Sequence, residues 1–187
     1  MAEFHFTLEP QPSLGRADIT IGGNRIAERT DLTIVSIATP QGEEEGLASA
    51  LLDEWGIAVP DPTRSSRAGE IRALRTAPDQ ILLIFPHANP DAEASARQKL
   101  NGRGYTIDQT DAWIILEVSG PNTLAALERL CPLDVASFSE GGAGRTVMEH
   151  MGALVLRLAD NQFLLMSASS SARSFLHAVE TSYRNVL

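Results

Sequence analysis

Ala77-Pro78-Asp79-Gln80-Ile81-Leu82-Leu83-Ile84 and Ala159-Asp160-Asn161-Gln162-Phe163-Leu164-Leu165-Met166 are two versions of one pattern, 82 residues apart. Leu74-Arg75 precedes the first copy as Leu156-Arg157 precedes the second. Each copy reads as an apolar strand, a tight turn at Pro78-Asp79 or Asp160-Asn161, and a second apolar strand. A hairpin that occurs twice at a fixed offset points to two related halves. Each half then needs enough further structure to cover its apolar face.

Working outward, Leu32 to Ala38 is β-branched and apolar and reads as a buried strand. After the break at Pro40-Gln41-Gly42, Leu47, Leu51 and Trp55 fall at helical spacing and Gly56 is placed to stop the helix. Pro60 to Ser66 reads as a polar loop. Behind the first hairpin, Asn89-Pro90-Asp91 opens a second helix ending near Leu100, and Gly102 and Gly104 lead into a connection. The second half runs in the same order. Trp113 to Val118 reads as a strand, and Gly120-Pro121 starts a helix with Leu124, Leu127, Leu130 and Cys131 on one side. A glycine loop at Gly141-Gly142-Ala143-Gly144 and a strand-like run from Thr146 to Met151 precede the second hairpin. Ser169 and Ser170 are candidate caps for a last helix with Ala172, Phe175, Leu176, Val179 and Tyr183 on its apolar face.

These readings give an α+β protein of two pseudo-symmetric β-α-β-β-α halves, residues 32–104 and 105–187, behind an N-terminal extended arm, residues 1–31. In the arm, Phe4, Phe6 and Leu8 alternate, Pro10 and Pro12 stop a strand, and Ile19-Thr20-Ile21 turns at Gly22-Gly23. Such an arm lies along another surface, its own core or a partner subunit, and is expected to join one of the sheets. Arg75 and Arg157 alternate with leucines and are expected on a polar face.

With 187 residues the chain is long enough for a sizeable core. A net charge of −9 argues against generic binding to nucleic acid or an anionic membrane, both of which need a basic surface. Cys131 is the sole cysteine, so neither an internal disulfide nor a cysteine-rich metal site is available. Met1 to Phe6 lacks the pattern of a signal peptide, and no run has the length of a membrane span; a cytoplasmic protein is expected.

No catalytic set emerges. Glu43, Glu44 and Glu45 open a helix, where carboxylates complement the dipole and point in different directions. His5, His87, His150 and His177 show no metal-ligand spacing. The serines at 167 and 169–171 lack a nucleophile elbow and precede an apolar helix, which is a capping signal. Asp108 and Asp111 flank a strand, and a facing acid/base geometry is not readable from sequence. The glycine loop could form an anion nest but lacks the Gly-Lys-Ser/Thr of a phosphate loop. Arg145 beside Gly141, Gly142 and Gly144 is the candidate partner-docking surface, against the plainer reading of a solvated loop.

Several segments in order resemble a known family: Ile107-Asp108-Gln109-Thr110-Asp111-Ala112, Cys131-Pro132-Leu133-Asp134-Val135, the stretch Phe138 to His150 with Gly141 and Thr146, and Ala77-Pro78-Asp79-Gln80. Together, over about Ile19 to Val179, they resemble the gamma subunit of heterotetrameric sarcosine oxidase. Two positions depart from the family pattern: Ile81 stands where an aromatic is common, and Ala168-Ser169-Ser170 where Pro-Arg-Ser is common. The resemblance implies a fold like the folate-binding aminomethyltransferases. It also implies a place in an assembly that oxidises sarcosine to glycine, passes the one-carbon unit to tetrahydrofolate and reduces oxygen to hydrogen peroxide. It implies alpha, beta and delta subunits as partners, alpha foremost. FAD, FMN, NAD and folate would then sit on the partner subunits and zinc on delta, with no cofactor, catalytic or metal residues on this chain. Two other readings stay open. One is a stand-alone folate-binding or aminomethyl-transferring protein, although the Lys-Gly-Cys-Tyr-like signature of related repair proteins is missing. The other is a ligand-sensing module.

Overall fold

The computed structural model describes residues 11–187. Its elements are β1 (Asp18–Ile21), β2 (Asn24–Glu28), β3 (Thr33–Ala38), α1 (Glu44–Trp55), β4 (Ser66–Ala68), β5 (Ile71–Ala77), β6 (Gln80–Phe85), α2 (Ala92–Leu100), β7 (Tyr105–Asp108), β8 (Trp113–Ser119), α3 (Thr123–Leu130), β9 (Ala143–Met148), β10 (Met151–Ala159), β11 (Gln162–Ala168) and α4 (Ala172–Arg184). The alternation at Phe4, Phe6 and Leu8 lies outside the described residues.

The strands form two antiparallel sheets. Sheet A runs β1-β2-β8-β11-β10-β9 and sheet B runs β4-β5-β6-β3-β7. Three buried clusters define the layers. Val35, Ile37, Leu83 and Ala73 of sheet B pack with Leu47, Leu51, Ala96 and Leu100 of α1 and α2. Leu116, Val118, Phe163 and Leu165 of sheet A pack with Leu127, Phe175, Val179 and Tyr183 of α3 and α4. The opposite faces meet each other: Ile34, Leu74, Leu82 and Ile84 of sheet B lie against Ile115, Leu154, Leu156, Leu164 and Met166 of sheet A. Helices thus cover the outer face of each sheet, and the two inner faces form a shared apolar seam. Burial on both faces explains why β6 and β11 are continuously apolar rather than alternating.

The repeated hairpins keep their likeness in detail. Both break register at the same place, between Arg75 and Ala77 and between Arg157 and Ala159. At each irregularity the arginine Nε donates back to the alanine carbonyl two residues on, at 3.4 Å. The bulge frees a carbonyl, and the guanidinium two residues earlier satisfies it.

The structure corrects several expectations. Residues 32–104 run β-α-β-β-β-α and residues 105–187 run β-β-α-β-β-β-α, where β-α-β-β-α was expected of each. The additions are β4, only Ser66-Arg67-Ala68, β7, and β9, which the strand-like run at Thr146 to Met151 foreshadows but which begins at Ala143, inside the glycine loop. Short polar or glycine-bearing strands lack the apolar pattern by which strands are recognised. Arg75 and Arg157 do not lie on a polar face: each shares the helix-covered face of its sheet with the residue two before it, Ala73 and Val155. Arg157 lies on the helix side with its side chain only 12% exposed. Its guanidinium carbon sits 5.7 Å from the centre of the Phe163 ring, and it donates to the carbonyl of Phe138. His150 is not in a strand: Glu149 and His150 form the two-residue turn between β9 and β10. Ser169 and Ser170 do not cap α4 through their side chains; a 3₁₀ turn, Ser169–Ser171, leads into the helix instead.

Chain segments from outside each half complete its sheet. The β1–β2 hairpin pairs onto β8 of sheet A. β7, which follows the expected boundary at residue 104, pairs onto β3 of sheet B. Asn24, fully buried, fastens the hairpin: its Nδ2 donates to the Ile21 carbonyl at 3.0 Å, and its Oδ1 accepts from the Asn122 backbone N–H at 2.8 Å.

Tyr183 ties α4 to α3. Its hydroxyl donates to Thr123 Oγ1 at 2.9 Å, and Ser182 Oγ donates to the Ala126 carbonyl at 2.7 Å. Burial pushes the Tyr183 phenol up to about 12 from its ordinary value of 10.0. A raised phenol pKa means that the folded state holds a proton the unfolded chain has lost. Its contribution is complete below pH 10 and is lost as pH climbs through about 12. We expect stability to fall by about 1.4 kcal/mol per pH unit across that window from this group. Tyr183→Phe should flatten that slope in alkaline unfolding titrations; an unchanged slope would assign it elsewhere.

Candidate docking surface and inner-face cavity

The glycine loop lies at a junction inside the chain. The Gly141 carbonyl accepts from the Ser65 backbone N–H at 2.7 Å and from Ser65 Oγ at 3.1 Å. The Ala143 N–H donates to the Thr63 carbonyl at 2.9 Å, and Arg64 bridges Gly142 in antiparallel fashion. This stitches the loop before β4 to the start of β9. Gly142 is required by close approach, whereas Gly144 faces only the movable end of a leucine. A Cβ on Gly142 would stand 2.8 Å from Phe138 Cβ and 2.9 Å from the Ser139 carbonyl oxygen, and one on Gly144 would stand 2.8 Å from Leu133 Cδ1. Gly142→Ala is therefore expected to cost about 1–3 kcal/mol in chemical denaturation. A neutral result would mean that this segment yields freely.

Arg145 follows on β9. Ala143 belongs to the inner seam, so the two-residue period places Arg145 and Val147 on the same inner face, toward its rim. Arg145 is exposed, and its Nη1 donates to the Thr76 carbonyl of sheet B at 3.3 Å. Beside it a cavity of about 420 Å³ opens at the end of the seam. Trp113 and Gln109 form one wall, Arg145 and His150 stand at the other side, and Gly152 and Ala168 lie between. The Trp113 Nε1–H donates to Gln109 Oε1 at 3.2 Å, which fixes the ring. Glu149 and His150 both hold left-handed backbone, with φ of 45° and 67°. Such two-residue turns usually take Asn-Gly, because side chains resist positive φ.

The remaining candidates are dispersed. His87, His150 and His177 are exposed and lie on separate elements, and His5 lies outside the described residues. No group of three or more metal-ligating side chains occurs among the described residues. Cys131 is buried, and burial pushes its thiol up, away from reactivity. Glu44 and Glu45 occupy the first turn of α1, as the helix dipole favours. Asp108 is used locally, its carboxylate accepting from the Thr110 N–H at 2.9 Å. No helix among the described residues is long and apolar enough to cross a membrane.

An exposed apolar pair escaped the sequence reading. Tyr105 and Ile107 on β7 are 68% and 60% exposed. They stand opposite Ala38 and Ser36 of β3, on the inner-face side of sheet B, while Thr106 between them donates to Glu93 of α2. Sheet order leaves β7 at an edge, with its outer backbone groups unpaired by any strand among the described residues. The alternation Tyr-Thr-Ile-Asp was the available signal.

No family model matches the chain, and no curated protein matches it in sequence. Solved structures do. A heterotetrameric sarcosine oxidase from Corynebacterium sp. U-96, in complex with pyrrole 2-carboxylate, aligns with a TM-score of 0.76 at 19% identity, over 87% of this chain and 85% of that one. The chain has the fold of a sarcosine oxidase chain. A glycine cleavage system aminomethyltransferase T from Bartonella henselae aligns with a TM-score of 0.60 at 13% identity, over 81% of this chain and 44% of that one. The sarcosine oxidase chain is thus matched over most of its length, and the aminomethyltransferase over less than half. At these identities what is shared is the fold, a mixed α+β arrangement of two antiparallel sheets and helices.

Proposed function

We propose that the chain is the gamma subunit of a heterotetrameric sarcosine oxidase, with a structural rather than a catalytic part in that assembly. The observation that carries this reading is the end-to-end match to a sarcosine oxidase chain, 87% of one and 85% of the other. The ordered sequence segments from Ile107 to His150 support it independently. In this reading the two halves, residues 32–104 and 105–187, are pseudo-symmetric copies, and the β1–β2 hairpin of the preceding arm completes the second half's sheet. The complex demethylates sarcosine to glycine and transfers the one-carbon unit to tetrahydrofolate, in the cytoplasm. FAD, FMN, NAD and folate are held by the alpha and beta subunits and zinc by delta.

Docking onto the alpha subunit is assigned to the β7 edge. An edge strand with free backbone groups and an exposed Tyr-x-Ile is suited to strand pairing or apolar contact. Tyrosine is among the residues that concentrate binding energy at interfaces. Arg145 and the glycines at 141, 142 and 144, the surface expected from sequence, border the neighbouring cavity and stand second as a contact. Co-expression of this chain with alpha, beta and delta chains encoded nearby should yield a co-purifying complex with sarcosine oxidase activity. Failure of this chain to associate would sink the proposal.

A second reading rests on the aminomethyltransferase likeness, which covers 81% of the chain. In it the isolated chain binds tetrahydrofolate. Calorimetry separates the two: micromolar binding by the chain alone favours the second, and none favours the first.

A further inference from the structure

We propose that the cavity at the end of the inner seam is a binding site for a small organic carboxylate with a flat apolar body. The chain carries a net charge of −9, yet none of the residues lining this cavity is an aspartate or glutamate. The charged side chain there is the Arg145 guanidinium, which uses one donor on the Thr76 carbonyl. A guanidinium has five N–H donors in a planar fork, so a carboxylate can still be held by the others. His150 adds an imidazole to the lining beside it. Its position is enforced by a turn of two non-glycine residues at positive φ. Backbone strain of this kind persists where the surrounding structure has a use for the side chain so placed.

The apolar part of the ligand follows from the opposite wall. Trp113 is anchored by its N–H and lines the cavity with its indole. Gln109 accepts that bond through Oε1, and its amide nitrogen is a further donor on this wall. Between the walls the floor is vacant: a Cβ built on Gly152 meets nothing within 4 Å. A volume of about 420 Å³ suits a molecule of one or two rings. The first half repeats only part of this: Arg67 pairs with Arg72 as Arg145 pairs with Leu154, but Leu32 stands at the place of Trp113. The assignment does not depend on the sarcosine oxidase reading.

Benzoate, its neutral isostere benzamide and acetate are the probes, with full-length protein and two-dimensional amide NMR. The chain has two tryptophans, so Trp55→Phe identifies the Trp113 indole resonance. Benzoate should shift that resonance saturably in the millimolar range or below. Benzamide and acetate should each bind at least about tenfold more weakly, since each lacks one of the two recognised parts. Arg145→Gln should weaken benzoate about tenfold or more, and Gly152→Leu should abolish it while leaving the unfolding midpoint in place. The proposal is overturned by no saturable shift with benzoate, by benzamide or acetate matching it, or by Arg145→Gln binding as the parent does. Retention of benzoate binding in a folded Gly152→Leu protein overturns it equally. Acetate matching benzoate would mean that the site reads charge alone, as a contact for a partner's acidic side chain does.

Discussion

Leu156→Ala is expected to lower the free energy of unfolding by about 2–5 kcal/mol, while unfolding remains one cooperative transition. Leu156 is 1% exposed and sits on β10 between Ala143 and Leu164, facing sheet B. Removing its isobutyl group leaves a void between two sheets, neither of which can collapse without dragging its helices along. The consequence reaches both halves, because the seam is built from the inner faces of both sheets. Urea or guanidinium unfolding followed by tryptophan fluorescence reads this directly: Trp55 reports on the first half and Trp113 on the second. Coincident transitions, both moved to lower denaturant, are the expected result. Two separated transitions, with only the Trp113 signal displaced, would show that the halves stand independently.

The second large effect concerns assembly. Tyr105→Ser combined with Ile107→Ser should leave the isolated chain within about 0.5 kcal/mol of its parent, since both side chains face solvent. In the four-subunit co-expression the same variant should lose at least about 2 kcal/mol of association, roughly a thirtyfold weakening. Co-purification yield and sedimentation of the mixed subunits measure it. Arg145→Gln, in the same experiment, is expected to weaken association less than the β7 pair does. Full retention of the complex by the β7 variant would remove that edge from the interface, and the rest of the functional proposal would then have to rest on another surface.

Much of the architecture was legible because it is written in periodicity. The hairpins at 71–85 and 151–168 announce themselves by apolar runs around Pro78-Asp79 and Asp160-Asn161. The apolar spacing of α4 likewise predicts the buried Phe175, Val179 and Tyr183. Gly56 adopts the left-handed C-cap of α1, as its place after Trp55 implies. What escaped the reading were short elements with little apolar pattern and contacts between residues distant in sequence. β4 and the start of β9 are strands because the next strand in the chain satisfies their backbone groups, and their own residues do little to advertise it. The helix-side burial of Arg157 is equally invisible, since it depends on Phe138 carbonyl and Phe163 ring lying nearby. The cavity required Gln109 and Trp113 to be brought to Arg145, His150 and Gly152 from across sheet A.

By itself, the sequence determined the two repeated hairpins, the places of the four helices and the apolar character of the central strands. These follow from local turn chemistry and from hydrophobic spacing within a few residues. Only the tertiary structure decided which faces meet and which segments complete which sheet. It alone left Tyr105 and Ile107 uncovered and hollowed the space beside Arg145. Those outcomes depend on pairings between residues far apart along the chain, such as Gly141 with Ser65 and β7 with β3, whose energies no local pattern records.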